Sequence, residues 1–203
     1  MEHTANQIIL RGSLASLPQF SHENHSRRFF RFLLEVPRLS GAVDTLPAIA
    51  EESILSAADL SNGDMLTVSG QIRSHNVRSD GRRHLLIFVF AASIVCEDGE
   101  PMNEVVLEGF LCREPTYRRT PLGREICDVM LAVPRAFKRA DYLPCILWGR
   151  TALEASQCHT RDRLRVCGRL QSRLYTKVTE NGSEERTAYE ISALTAQIPE
   201  DIC

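Results

Sequence analysis

The sequence is poor in the features that announce most chemistries. No two of its seven cysteines form a Cys-x-x-Cys clamp, so neither a zinc site nor dithiol redox chemistry is indicated. Cys112, Cys127, Cys145 and Cys167 sit inside apolar or alternating runs, where a thiol packs as a small hydrophobe. Cys158 beside His159 suggests a nucleophile and a base, yet adjacency in a short polar stretch fixes no geometry. The chain has no Gly-x-x-x-x-Gly-Lys loop, no His-Glu-x-x-His and no Gly-x-Ser-x-Gly elbow. Catalysis, metals and cofactors are therefore not expected. Aromatics are scarce, at 6% with a single tryptophan, and charge of one sign is not in excess: 24 Lys and Arg face 26 Asp and Glu. Any anion-binding site must be a local patch. No apolar run approaches the roughly 20 residues of a spanning helix, and Met1 to Gln7 are polar. The expectation is a soluble, unexported protein, cytoplasmic and without a membrane partner.

What the chain does have is an internal repeat. Asn6-Gln-Ile-Ile-Leu-Arg-Gly-Ser-Leu14 returns as Asn103-Glu-Val-Val-Leu-Glu-Gly-Phe-Leu111, Val36-Pro37-Arg38 as Val133-Pro134-Arg135, and Asp44 to Ile49 as Asp141 to Ile146. About 14 identities over about 45 ungapped positions mark a duplicated domain rather than a solenoid. After one inserted residue, Gly63 to Gly70 matches Arg161 to Gly168. The reading divides the chain into a first copy over 1–98, a polar linker over 99–102 and a second copy over 103–203.

Within each copy the apolar spacing is mostly period 2, which predicts strands. In the second copy they fall near 103–112, 124–133, 141–148, 163–175 and 186–197, with helix formers from Arg150 to Cys158 between the third and fourth. The first copy repeats that order, with Glu51 to Leu60 as its helix. The expected class is all-β, two tandem OB-folds, each a five-stranded Greek-key barrel with a helix between strands 3 and 4.

The second copy then resembles the DNA-binding domain of bacterial single-stranded-DNA-binding proteins. The resemblance rests on Asn103-Glu-Val-Val-Leu-Glu-Gly109, Glu114-Pro115, Gly123 and the strand to Leu131-Ala-Val133, Asp141-Tyr142 through Leu147-Trp148-Gly149-Arg150-Thr-Ala152, Val166 to Tyr175, and Tyr189-Glu190-Ile191. It implies that bases of single-stranded DNA stack on aromatic platforms, which fall at Phe137, Tyr142, Trp148 and Tyr175. Stacking contributes roughly 1–3 kcal/mol per base and tolerates any sequence. Trp148 has core burial as the competing reading. Phosphate contacts are expected from Arg118, Arg119 and Arg124, from Arg135, Lys138 and Arg139 beside Phe137, from Arg150, and from Arg169, Arg173 and Lys177 around Tyr175.

At the four platform positions the first copy has Ser40, Thr45, Glu51 and Val77, so it is expected to bind DNA weakly or not at all. Its Phe29, Phe30, Phe32, Phe88 and Phe90 lie in strand runs, and the period-2 spacing of Phe30 with Phe32 and of Phe88 with Phe90 reads as one buried face, with Arg27, Arg28, Arg31, Arg82 and Arg83 as a secondary basic surface in the competing reading. His22, His25, His75 and His84 are read as solvated loop residues.

The expected function is coating and protecting single-stranded DNA in replication, recombination or repair. The alternative is a protein-binding accessory module, for instance in a primosome or mobile element. RNA is a variant ligand, because stacking does not read the 2′-hydroxyl. For assembly, either a homodimer gathers four OB-folds or the first copy stands in for a partner and the monomer is a pseudo-dimer. The first copy is also a candidate docking surface for replication or repair proteins, because the chain stops at Cys203 without the long acidic-tipped tail of related proteins.

Overall fold

A computed structural model describes residues 6–56, 60–79, 82–179 and 182–198. Inward-facing Ile8, Leu10 and Leu14 alternate with more exposed residues along β1 (Asn6–Asn24), the burial rhythm of a strand with one face on a core. The same rhythm runs through β2 (Arg27–Pro37) and β3 (Val43–Glu51), and β4 (Met65–Ser79) and β5 (Arg82–Cys96) complete the first copy. β1 pairs with both β2 and β4, and β3 pairs in parallel with β5, so the five strands close into a barrel. The second copy repeats this closure with β6 (Met102–Leu111), β8 (Glu125–Arg135), β9 (Arg139–Trp148), β10 (Arg163–Thr179) and β11 (Gly182–Gln197). Closure leaves few free strand edges. Each barrel carries its helix between the third and fourth strands, α1 (Glu52–Leu55) and α2 (Gly149–Ala155). Both are shorter than expected, and residues 57–59 of the first lie outside the described residues.

One difference from the expected layout is local. The first strand of the second copy is broken into β6 and a separate hairpin strand, β7 (Thr116–Arg119), by a stretch containing Pro115, which has no N–H to give a ladder. In the first copy Pro18 sits within the continuous β1, where register shifts between Leu14 and Gln19 absorb it.

The copies join through β1 and β6, which pair antiparallel from Asn6 opposite Leu107 to Arg11 opposite Met102. Ile8 lies opposite Val105, its own counterpart in the repeat, so the contact is isologous and has the form of a two-fold dimer interface inside one chain. Hydrogen bonds obey the same symmetry. The Asn6 side chain donates to Ile72 O and accepts from Ile72 N, while Asn103 does the same with Leu170 O and N.

Two crossed clamps reinforce the joint. Asp44, fully buried, accepts from the Ser172 N–H at 2.7 Å and from its hydroxyl at 3.1 Å, and is ion-paired with Arg38. Asp141, equally buried, accepts from the Ser74 N–H at 2.7 Å and pairs with Arg73 at 3.0 Å and Arg135 at 3.4 Å. Each buried carboxylate thus has its charge met from both copies.

Candidate nucleic-acid interface

On β9, Leu143, Cys145 and Leu147 point into the barrel, and the intervening Tyr142, Pro144, Ile146 and Trp148 therefore form its outer face. Trp148 is 38% exposed and Tyr142 45%, so both rings lie on the surface and not in the core. Trp148 is held in place, since its indole Nε1 donates to Ser192 Oγ at 3.1 Å. Gly168 lets β10 pass close to the Ser192 backbone: a Cβ there would run into the Ser192 carbonyl. Tyr142 is fixed through its backbone, whose N–H donates to Ser74 Oγ of the first copy at 2.7 Å.

Tyr175 stands on the projecting β10–β11 arm with the Arg173 guanidinium 5.8 Å from its ring centroid. Phe137 occupies a 3-10 turn between β8 and β9, 94% exposed, at φ 59°, and Lys138 follows at φ 54°. Two successive left-handed non-glycine residues cost about 1–2 kcal/mol each. An aromatic held bare to solvent by a strained turn is a feature folding alone does not require.

The basic residues divide into two groups. Arg118 is paired with Asp128 at 2.6 Å, Arg119 with Glu125 at 3.1 Å, Arg150 with Glu154 at 2.8 Å, Arg135 with Asp141, and Arg173 with Glu190 at 3.6 Å. Arg124, Lys138, Arg139 and Arg169 have no ion pair among the described residues, and Arg169 Nε is buried without a hydrogen-bond partner. The side chain of Lys177 lies outside the described residues.

The carboxylates on this face were missed by sequence reasoning. Glu190 is half-buried opposite Gln171, and burial pushes its carboxyl above the usual carboxylate range, against the pull of Arg173 and Arg118. Asp128 holds Arg118, raising that guanidinium through their hydrogen bond. Tyr117 is a further surface ring; its hydroxyl, ahead of Arg119, holds Glu125 below the usual range. Only the period-2 position of Glu190 beside Tyr189 and Ile191 could have flagged it from the sequence.

The first copy departs from its expected reading. Phe32 is in the core and Phe30 packs against it, but Phe88 and Phe90 alternate with buried Ile87, Val89 and Ala91 and so lie on the outer face. The phenylalanines are split between two faces, because spacing fixes parity within a strand and not which parity turns inward. His22 is not in a loop: it lies in β1, stacked on Phe29 at 4.9 Å and 12°. His75 and His84 are strand residues as well. The side chains of Arg82 and Arg83 lie outside the described residues.

Cys127, Cys145 and Cys158 are buried, and burial raises their thiols, Cys127 to about 11, so none is a poised nucleophile. No cluster of three or more His, Cys, Asp or Glu that could hold a metal occurs among the described residues. None of the described helices is long and apolar enough to cross a membrane.

Two OB-fold barrels in one chain, the second carrying Tyr142, Trp148 and Tyr175 on its surface, define a tandem OB-fold protein. Residues 102–199 match the single-strand binding protein family. Single-stranded DNA-binding protein B of Bacillus subtilis is 40% identical over 80 residues, 36% of this chain and 71% of that protein. Single-stranded DNA-binding protein 1 of Staphylococcus aureus is 38% identical over 81 residues, and the chain spans only 48% of that relative's length. The wild-type single-stranded DNA binding protein of Thermus aquaticus shares the fold across 96% of this chain and 92% of its own, at 24% identity and a TM-score of 0.78. The chain belongs to the single-strand binding protein family.

Proposed function

We propose that this protein binds single-stranded DNA without regard to sequence, stacking bases on Phe137, Tyr142, Trp148 and Tyr175 of the second copy. The observation that carries this is the exposure of all four rings outside a barrel whose interior is filled by aliphatic side chains. Arg124, Lys138, Arg139 and Arg169 are the residues free to take phosphates at once. Arg118, Arg119, Arg135, Arg150 and Arg173 must first exchange a carboxylate for a phosphate, and they contribute less. Lys177 completes the set on the Tyr175 arm. Coating of exposed strands during replication, recombination or repair follows from sequence-tolerant binding.

The same reading assigns 1–98 to an OB-fold that lacks these platforms, 99–102 to a linker and 103–203 to the binding OB-fold. The pairing of Ile8 with Val105 supports a monomer that is already a pseudo-dimer.

The test is a titration of intrinsic fluorescence with oligo-dT, with duplex DNA and with oligo-rU. Trp148 is the only tryptophan, so its emission reports directly on a platform. Quenching by oligo-dT that weakens with salt and is absent with duplex is the expected result. An emission unchanged by oligo-dT, together with unchanged electrophoretic mobility, would sink the reading and turn attention to protein partners.

A further inference from the structure

The positions of the first copy that match the platforms hold no aromatic ring, yet its outer face is not bare. His22 stacks on Phe29 at 4.9 Å, Phe29 meets Phe90 at 5.9 Å, and the Arg73 guanidinium lies 5.9 Å from the Phe90 centroid. These groups come from β1, β2, β5 and β4, whereas the expected platforms of the second copy come mainly from β9 and β10. Phe29, 7% exposed, is the floor of the ladder, with exposed His22 on one side and half-buried Phe90 on the other.

The ladder does not end at Phe90. Arg73 pairs with Asp141, the residue before Tyr142, while Ser74 beside it receives the Tyr142 N–H. Arg73 and Ser74 on β4 thus bring the Phe90 end of the ladder to the Asp141-Tyr142 segment of the second copy. Charge suits the same ligand. Arg31, exposed on the strand that carries Phe29, has no ion pair among the described residues, and Glu51, which stands where the second copy has Trp148, is paired with Arg27 at 3.5 Å. A paired carboxylate repels a phosphate far less than a bare one.

We propose that this ladder is a second stacking surface for single-stranded nucleic acid, onto which a strand leaving Tyr142 continues across Arg73 and Phe90 to His22. The proposal rests on the reading that Tyr142 is itself a platform. The rings of the ladder stand on β1, β2 and β5, at positions other than those matching the second copy's platforms, so position-by-position comparison finds nothing at this site. His22 and Phe90 offer ring surface to bases, Arg73 a guanidinium plane, and Arg31 a phosphate contact.

The experiment compares two lengths of oligo-dT on the full chain. One OB-fold holds about 4–16 nucleotides, so a strand of about 8 fits the second copy alone and one of about 30 reaches both. The double variant His22→Ala/Arg31→Glu changes only exposed side chains. Phe90→Leu keeps apolar volume against Phe29 and removes the ring. Each is expected to leave the affinity for the short strand unchanged and to weaken the long strand about tenfold, the loss of one stacked base. Equal affinity of wild type and variants for the long strand would overturn the proposal, as would equal losses at both lengths. If wild type fails to bind the short strand, the second-copy reading falls and the continuation from Tyr142 falls with it, whereas normal binding of the short strand with an unweakened long one sinks the continuation alone. If wild type binds neither, both fall.

Discussion

Replacing Asp141 by alanine probes whether the first copy physically supports the second. The carboxylate is fully buried, accepts the Ser74 N–H at 2.7 Å and meets Arg73 and Arg135. Hydrogen bonds to a charged group contribute about 1.5–3 kcal/mol each. Arg73 and Arg135 are 19% and 31% exposed and can reach water when their partner is gone, so only the Ser74 N–H is left stranded. The net loss worked from these contacts is about 1.5–3 kcal/mol, that of one charge-assisted hydrogen bond whose donor is left stranded, below the range for a pair whose surviving charge stays buried. In a chain of this length that lowers the melting temperature by about 5–10 °C. Asp141→Asn, which keeps an oxygen for Ser74 and drops the charge, should cost about half as much. Asp44→Ala should match Asp141→Ala, and the two should add, since the clamps share no residue. Urea unfolding followed by circular dichroism measures all four variants. A loss below about 1 kcal/mol for Asp141→Ala would refute the clamp, and strong non-additivity would refute its independence.

Tyr142→Ala and Tyr175→Ala should each weaken oligo-dT binding by about 1–3 kcal/mol in a filter-binding assay while leaving the melting temperature nearly unchanged, because both rings are on the surface. Arg139→Ala should lower the slope of log affinity against log salt by about 0.7, the value for one phosphate contact on a single strand, whereas Arg150→Ala, whose guanidinium is tied to Glu154, should lower it less. The Glu190 carboxyl titrates above its ordinary value, so its neutral form is favoured by the fold. Stability from this group is complete below the ordinary carboxylate value and is lost as pH rises through the raised one. Over the same window, falling pH removes a negative charge and frees Arg173, so oligo-dT affinity should rise as pH drops, and Glu190→Gln should abolish that rise. With a thiol reagent on the native protein, Cys96 should react fast and Cys145, fully buried with its thiol pushed far up, should not.

The repeat made the barrels legible. The identity of Asp44 with Asp141 marks the residues that stitch the copies together, and that of Asn6 with Asn103 marks a brace repeated inside each copy, so duplicated sequence and duplicated hydrogen bonds coincide. Alternation along Asp141 to Trp148 placed Tyr142 and Trp148 on one face, and the structure shows which side that is. Other features were not legible for identifiable reasons. The ion pairs that occupy Arg118 and Arg173 run across strands, and no spacing along one strand encodes them. The serines that Asp44 and Asp141 hold in the other copy lie 128 and 67 residues away. Phe88 and Phe90 had the right spacing for a buried face, but β5 turns the other parity inward.

The residue opposite Ile8 is its own counterpart, Val105. In a dimer of identical subunits every substitution at such a contact is made twice, and each partner must tolerate the other's change. In this chain the two sides are encoded separately, and one can change while the other stays. Glu51 can therefore stand where its counterpart is Trp148, and β1 can run unbroken where its counterpart splits into β6 and β7. The halves also cannot part on dilution, because the peptide between Cys96 and Met102 holds them at a fixed effective concentration. The asymmetry of the two faces is permanent and independent of how much protein is present.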